Sequence, residues 1–234
     1  LVLLHGASFP CCARGRASRF RGMIPLYKNS TPAAGTARLR ADFPKGAHVI
    51  YLDNAATEQR PACVLDAERE FYERWNANPL RGLYELGVEA TEQYEHARER
   101  VAQFVHAKSE REIIFTRNTT EGINLVAYSY GLHRVKEGDE VLVSIMEHHS
   151  NLLPWQMVCR QTGAKLRFIE CEPDGSVDLA KVEPLINDRT KIVAINQVSN
   201  VLGRVNPVRE IADMAHRHGA VIVVDRKSTR LNSS

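Results

Sequence analysis

Unbroken runs of apolar residues recur along this chain between segments that have a helical pattern. Residues 192–195 and 221–224 contain only Ile, Val and Ala. A strand with one face in water alternates apolar and polar residues, so unbroken runs indicate strands that are covered on both faces. Such strands, alternating with helices, are typical of a mostly parallel sheet between helices. The sequence therefore predicts an α/β fold.

Strand and helix patterns alternate over most of the chain. The predicted strands are residues 49–52, 113–116, 140–144, 165–169, 191–197 and 220–225. The predicted helices are residues 62–76, 89–106, 120–132, 151–162, 178–187 and 207–218. In the helix at 89–106, apolar residues recur at steps of three and four, which is typical of an amphipathic surface helix.

Both ends of the chain differ from the middle. Residues 1–22 carry four arginines and no acidic residue, without helical or strand periodicity. We interpret them as a non-native or disordered leader, with Met23 as the natural start. Residues 226–234 follow a predicted strand without any apolar period that would continue the fold, and we interpret them as an artefactual tail.

The charge distribution argues against a nucleic-acid partner. The net charge is +3, but seven of the 31 basic residues lie in the two ends. The other 24 basic residues accompany 28 acidic ones, so the middle carries about −4 and disfavours nucleic-acid binding. No apolar run is long enough to span a membrane. The five cysteines lack CxxC spacing, which favours the reducing cytoplasm over disulfides or a zinc site.

A hydroxyl-rich segment connects the predicted strand 113–116 to the next predicted helix. Thr119 and Thr120 would place their hydroxyls beside the unpaired backbone N–H groups and the positive dipole end of that helix. These groups together can bind one phosphate. The alternative is an ordinary capped helix without a ligand.

Two further polar clusters stand at strand ends, where open α/β sheets bind ligands. His148 can stack on an aromatic ring, and Asp225 can keep a pyridine nitrogen protonated through an ion pair. Asn200, beyond another strand, can hydrogen-bond a ring hydroxyl. Together with the phosphate site, this set predicts pyridoxal 5'-phosphate, which is a strong electron sink.

Each residue of this set also has an interpretation without a cofactor. His148 could be a loop or core histidine, Asp225 could cap the next helix, and Asn200 could belong to a plain turn. A metal site is disfavoured because His148 and His149, as neighbours on an extended chain, would point to opposite sides. The sequence has no GxGxxG, P-loop or GxSxG motif, which argues against a dinucleotide fold, a P-loop enzyme or a serine hydrolase.

Five motifs carry a family resemblance that runs from about residue 40 to residue 225. They are YLDNAAT at 51–57, NPLRG at 78–82, TTEGIN at 119–124, MEHHSN at 146–151 and VSNVLG at 198–203. Together they resemble class V aminotransferase-fold enzymes, most closely the SufS-like cysteine desulfurases. The resemblance implies the large domain of a fold type I pyridoxal phosphate enzyme, incomplete at its C-terminus, with residues 23–225 as its N-terminal part.

The resemblance implies the same cofactor site and adds a substrate side. Its cofactor-binding residues would be Thr119, Thr120, His148, Asn200 and Asp225, and the catalytic residue would be His148. The substrate side would include Ala55, Ala56 and Arg81, although Leu80 stands where many relatives have His.

The implied activity is the conversion of L-cysteine to L-alanine plus an enzyme persulfide, for sulfur mobilisation and iron–sulfur cluster assembly. A homodimer and a sulfur-acceptor protein are the implied partners. The family's cofactor-linking lysine and nucleophilic cysteine follow the Asp, and neither Lys227 nor Cys63, Cys159 and Cys171 match them. We therefore expect the chain as written to be inactive. The alternatives are a selenocysteine lyase, a kynureninase, an aminotransferase, or a non-functional incomplete gene product.

Overall fold

The structure, a computed structural model, describes residues 2–5, 39–44, 51–54 and 56–226. These residues belong to two units, a helical unit within residues 39–114 and a sheet unit formed by residues 2–5 and 115–226. The predicted leader from residue 6 onward and the predicted tail from residue 227 lie outside the described residues. No helix in the described ranges is long and apolar enough to cross a bilayer.

The helical unit contains both helices that the sequence predicts there. Helix α1 is Ala62–Glu70 and continues as a π-helical turn over Phe71–Trp75, and helix α2 is Glu85–Val105. The loop before α2 approaches the first turn of this helix closely. A Cβ atom added to Gly87 would lie 2.8 Å from the Cα of Gly82, so the loop can pack there only because both residues are glycines.

The sheet unit is built on five strands. They are β1 Val2–His5, β2 Glu140–Ser144, β3 Lys165–Ile169, β4 Thr190–Asn196 and β5 Val221–Asp225. Their order in the sheet is β1-β5-β4-β2-β3. The pairs β2–β3, β2–β4 and β4–β5 are parallel, and β1 pairs antiparallel with β5. The predicted mostly parallel α/β sheet is therefore confirmed.

Helices connect the parallel strands and cover the sheet. They are α3 Thr119–Val126, α4 Leu153–Thr162, α5 Leu179–Val182 and α6 Val208–Arg217. Helix α3 continues as a π-helical turn over Ala127–Gly131. The four helices match the predicted ones, although α5 is only four residues long and a 3₁₀ turn, Glu183–Leu185, follows it.

Two apolar clusters lie on opposite faces of the sheet. The first joins strand residues to α3 and α4 and includes Ile123, Val141, Val143, Trp155, Ile192 and Ala194. The second joins the intervening strand residues to α5 and α6 and includes Leu142, Val182, Val193, Ile195, Ile211 and Ile222. Alternate residues of β2 and β4 thus face different clusters, which explains why their sequences are apolar without interruption.

One of the predicted strands is not found, and another is described only in part. Residues 113–116 form no strand: Ile113 is buried, but Ile114 and Phe115 are 63% and 42% exposed. This apolar run leads into α3 as irregular chain, so the strand predicted from the short run was wrong. Of the predicted strand at 49–52, Tyr51 and Leu52 are irregular, and residues 49 and 50 lie outside the described residues.

Strand β1 was not expected, because residues 1–22 show no strand period. Val2–His5 nevertheless pairs antiparallel with Val221–Asp225, with Val2 opposite Asp225. An apolar tetrapeptide can occupy the unpaired edge of a strand without any periodic signal, because pairing uses backbone groups alone. The non-native origin of residues 1–22 remains a prediction.

Replacing a core residue of β4 should lower the free energy of unfolding far more than replacing an exposed neighbour of the same type. Ile195 is 0% exposed and Ile145 is 52% exposed. We expect Ile195→Ala to cost about 2–5 kcal/mol, because it leaves a cavity, and Ile145→Ala about 0.5 kcal/mol. Urea unfolding followed by circular dichroism measures both. Equal losses would contradict the described core.

Candidate functional site

Three strand ends meet at one edge of the sheet. Strand β2 ends at Ser144 and leads to His148, β4 ends at Asn196, and β5 ends at Asp225. Asn196 lies opposite Asp225 in the parallel register, and the Gln197 N–H donates to the Asp225 carbonyl at 2.9 Å. Because these strands are parallel, their carboxyl ends form the edge at which α/β sheets bind ligands.

The N-terminus of α3 is capped and still has unused backbone donors. The Asn118 side chain accepts a hydrogen bond from the Glu121 N–H at 2.9 Å, and Glu121 Oε2 accepts one from the Arg117 N–H at 2.6 Å. Within the described residues, the amides of Thr119 and Thr120 have no acceptor. The cap uses only some of the donors of the first turn, so a capped helix start is compatible with an anion site here.

A pocket of about 410 Å³ lies between α3 and the segment that opens α4. Its lining residues are Thr120, Asn124, Tyr128, His148, His149, Ser150, Leu153, Pro154 and Met157. The structure therefore brings together Thr120 and His148, two of the predicted cofactor-binding residues. Polar groups lie at one end of α3, and Tyr128, Leu153 and Met157 provide less polar walls, as in many small-molecule sites.

The ring of His148 is held by a local turn. His148 Nδ1 accepts a hydrogen bond from the Ser150 N–H at 3.1 Å and lies 2.8 Å from Ser150 Oγ. An acceptor at Nδ1 places the proton of the neutral ring on Nε2. Residues His149–Asn151 form this turn, which is 3₁₀ rather than extended, and His148 caps its start.

The same turn corrects one sequence argument. His148 and His149 were expected to point to opposite sides, yet both line the pocket, with ring centroids 6.2 Å apart. The extended-chain geometry assumed for them does not apply to a residue that opens a 3₁₀ turn.

The other predicted cofactor residues lie outside the lining of this pocket. Thr119 is the first residue of α3, directly before Thr120, and is partly buried. Asp225 is buried at the end of β5, 4% exposed. Asn200 is exposed in a turn in which the Gly203 N–H donates to the Ser199 carbonyl at 2.9 Å. The plain-turn interpretation thus describes the backbone at Asn200, and its cofactor contact remains a prediction.

The predicted substrate-side residues belong to the helical unit. Ala56 and Arg81 are both exposed, and Ala55 lies outside the described residues. Arg81 follows Leu80, which has a left-handed φ of 68° and whose N–H donates to Thr91 Oγ1 at 2.8 Å. This bond and the close approach of Gly82 to α2 hold the Arg81 turn in place.

Glu147 is the residue that the sequence analysis missed. Its carboxylate accepts hydrogen bonds from Ser144 Oγ at 2.5 Å, Asn151 Nδ2 at 2.7 Å and the Asn196 N–H at 2.8 Å. Burial is the main cause that raises the pKa of Glu147 to about 7, the nearby charge of Asp225 adds to the rise, and the three hydrogen bonds oppose it. Its sequence signal was an acidic residue shortly after a continuous apolar strand.

The residues of this edge fit the pyridoxal phosphate that the sequence resemblance implies. The two unpaired amides and the Thr120 hydroxyl suit a phosphate. His148 presents a planar ring to the same pocket, and Asp225 provides a carboxyl at the neighbouring strand end. The donor set, the planar side chain and the pocket volume are each appropriate for a small phosphorylated aromatic ring.

Comparison with known families decides the membership of the chain. Residues 50–232 match the family described as aminotransferase class-V. The chain belongs to this family. The matched range extends beyond Asp225, so the artefactual nature of residues 226–234 remains a prediction. The class V resemblance drawn from the sequence motifs is confirmed.

Individual relatives point to one subgroup. A probable cysteine desulfurase of Halalkalibacterium halodurans is 53% identical over 77% of this chain and 44% of its own length. One of Synechocystis sp. is 49% identical over 81% and 46%. The apo structure of a cysteine desulfurase from Thermococcus onnurineus NA1 has 43% identity and a TM-score of 0.77, over 81% of this chain and 47% of that one. The chain thus spans less than half the length of these relatives.

Removing the Thr120 hydroxyl should weaken the binding of pyridoxal phosphate. Thr120→Val keeps the shape of the side chain and deletes one donor to a charged group, which is worth about 1.5–3 kcal/mol, or about ten- to a hundredfold in Kd. Fluorescence titration of the complete protein encoded by the locus measures this. Thr162→Val, at the C-terminal end of α4 and outside the pocket lining, is the control and should bind pyridoxal phosphate normally. Unchanged affinity in Thr120→Val would contradict the phosphate assignment.

Proposed function

We propose that the complete protein is a pyridoxal phosphate-dependent cysteine desulfurase. The main supporting observation is that one pocket contains both the donor-rich start of α3, with Thr120, and the ring of His148. At the same edge of the sheet, β5 ends at Asp225. Relatives whose names state this activity are 47–53% identical to the chain. Class V membership alone would leave the reaction open, and the high identity to desulfurases supports this choice.

The residues of the sheet unit would hold the cofactor by its distinct chemical groups. The amides and hydroxyls of Thr119 and Thr120 would bind the phosphate, the ring of His148 would contact the pyridine face, and Asp225 would pair with the ring nitrogen. Asn200 would lie near the ring oxygen. When bound, the cofactor supplies an electron sink for the electrons at the substrate's α carbon. The role of Asp225 is to keep the ring nitrogen protonated.

The reaction balances with one protein thiol. The thiolate of a cysteine attacks the sulfur of L-cysteine, so that an S–S bond forms and the substrate's Cβ–S bond breaks. Cβ takes up a proton, and the products are L-alanine and a protein persulfide. Ala55, Ala56 and Arg81 would lie on the substrate side. A second copy of the protein and a sulfur-acceptor protein would be its partners, in the cytoplasm, with iron–sulfur cluster assembly as a destination of the sulfur.

Replacing Asp225 should separate catalysis from cofactor binding. We expect Asp225→Asn in the complete protein to lower alanine and sulfide production from L-cysteine by about a hundredfold, because a charge that stabilises the reacting state is lost. The phosphate contacts of α3 should keep the cofactor bound. The assay contains a reductant that releases sulfide. Asp213→Asn, at an exposed position of α6, is the control. Full activity in Asp225→Asn would contradict the assigned role.

The same assay distinguishes the other class V reactions. Selenocysteine, kynurenine and an amino-acid and oxo-acid pair replace L-cysteine in parallel reactions. A cysteine desulfurase should produce equal amounts of alanine and sulfide from L-cysteine. Turnover of another substrate without sulfide would replace the proposal, and no turnover of any of them would support a non-functional gene product.

Cys159 should not carry the persulfide. Burial raises the pKa of the Cys159 thiol to about 11. Only roughly one ten-thousandth of such a thiol is thiolate at pH 7, and the thiolate is the nucleophile. In the native protein, iodoacetamide should label the exposed Cys63 well before Cys159, as measured by peptide mass spectrometry. A persulfide on Cys159 after reaction with L-cysteine would contradict this expectation.

A further inference from the structure

Glu147 joins the ends of β2 and β4 to the start of α4. Oε1 accepts hydrogen bonds from the Ser144 hydroxyl and the Asn196 N–H, at 2.5 and 2.8 Å. Oε2 accepts one from Asn151 Nδ2 at 2.7 Å. One carboxyl group therefore contacts three different segments, which meet directly behind the His148 turn.

The partners of Glu147 are themselves held by further hydrogen bonds. Asn151 Oδ1 accepts from Trp155 Nε1 at 3.0 Å, in the core beneath α4. Asn196 Nδ2 donates to the Met146 carbonyl at 2.8 Å, and Asn206 Nδ2 donates to Asn196 Oδ1 at 2.7 Å. Because each polar group of this network is satisfied, the network favours one arrangement of the loop between β2 and α4.

The surroundings of Glu147 contain another carboxyl but only neutral donors. The segments β2, β4 and α4 present Ser144, Asn196 and the Asn151–Trp155 pair. Asp225, from β5, is the charged group that acts on Glu147, and its negative charge raises the pKa of Glu147. The titratable His148 is its chain neighbour, with a ring that contacts Ser150. A negative charge close to a largely buried carboxyl opposes the ionisation of that carboxyl, so the state of Glu147 depends on the charge beside it.

We infer that Glu147 is a positioning residue of the cofactor site, because its carboxyl fixes the turn carrying His148 to the end of β4 and lies within the influence of the Asp225 charge. This inference rests on the proposed function, because the proposed function is what assigns Asp225 to the ring nitrogen of the cofactor. Glu147 acts through His148 and Asp225 and needs no contact of its own with the cofactor.

The charge coupling makes a specific prediction about pH. A cation paired with Asp225 offsets the negative charge that opposes ionisation of Glu147, so cofactor binding should lower the pKa of Glu147 and release a proton. The affinity for pyridoxal phosphate should therefore rise with pH through about 7, in addition to any change due to the cofactor's own phosphate. Glu147→Gln removes this step, since an amide does not titrate.

Glu140 provides a matched control. It is buried at the opposite end of β2, paired with Arg189 at 3.3 Å and hydrogen-bonded by Asn187 at 3.1 Å. Glu140→Gln therefore makes the same chemical change at the start of β2, away from the strand ends that form the site. It should lower Tm without altering the pH profile of cofactor affinity.

The experiment measures Kd for pyridoxal phosphate between pH 5.5 and 9, and Tm, in the complete wild-type protein, E147Q and E140Q. We expect E147Q to lose the pH step and to bind about tenfold more weakly at pH 8, which is the scale of one charged hydrogen bond. E140Q should keep the wild-type profile. If E147Q does not fold, Ser144→Ala serves instead: it removes a donor that favours the ionised carboxyl, so the step should move to higher pH.

The experiment distinguishes a failure of the proposed function from a failure of the inference about Glu147. A wild-type protein that does not bind pyridoxal phosphate would overturn the proposed function and this inference with it. A wild-type protein that binds the cofactor, with an E147Q profile equal to that of E140Q, would overturn the inference alone and leave Glu147 a structural residue. With Ser144→Ala, an unmoved step has the same meaning.

Discussion

The covering of both sheet faces by helices is the constraint on which the site depends. Apolar clusters occupy the two faces, so the central strands have no solvent-facing side on which to place polar residues. Polar side chains that belong to this sheet therefore gather where the strands end. Parallel pairing brings the ends of β2, β4 and β5 to one edge, and their polar groups must satisfy one another there or bind a ligand.

The sequence was most reliable where periodicity and burial agree. The strands β2 and β3 have the predicted bounds, and β4 and β5 differ from the prediction by one residue at their ends. The strands β2, β4 and β5 contain unbroken apolar runs, whereas β3, at the edge of the sheet, alternates polar and apolar residues over 165–168. The apolar run at 113–116 is irregular chain, whereas β1 pairs with β5 without any periodic signal in its sequence. Pairing depends on what else lies at a sheet edge, which one segment of sequence does not encode.

At the site, the motifs predicted a set of residues but not the contacts among them. Thr120 and His148 line one pocket, although Thr120 follows irregular chain rather than the strand that the sequence predicted. The turn at His148 was not predictable from an assumed extended chain, and this is why the orientation of His149 was misjudged. Glu147 was missed because its role depends on a partner that is distant in sequence as well as on two that are near. The Asn196 N–H that it binds is 49 positions away, and no local pattern indicates such a bond.

The two ends of β2 show why Glu147 differs from a structural carboxylate. Glu140 begins the strand with its charge compensated by Arg167 and Arg189, at 3.6 and 3.3 Å. Glu147, beyond the other end of β2, has no ion pair with a cation in the described part of the chain. Instead, the negative charge of Asp225 helps to raise its pKa. A compensated carboxylate stabilises the fold, whereas placing two carboxyls together costs free energy. A cationic ring beside Asp225 would offset the negative charge that raises the pKa of Glu147, so this edge of the sheet is complementary to the cofactor proposed for it.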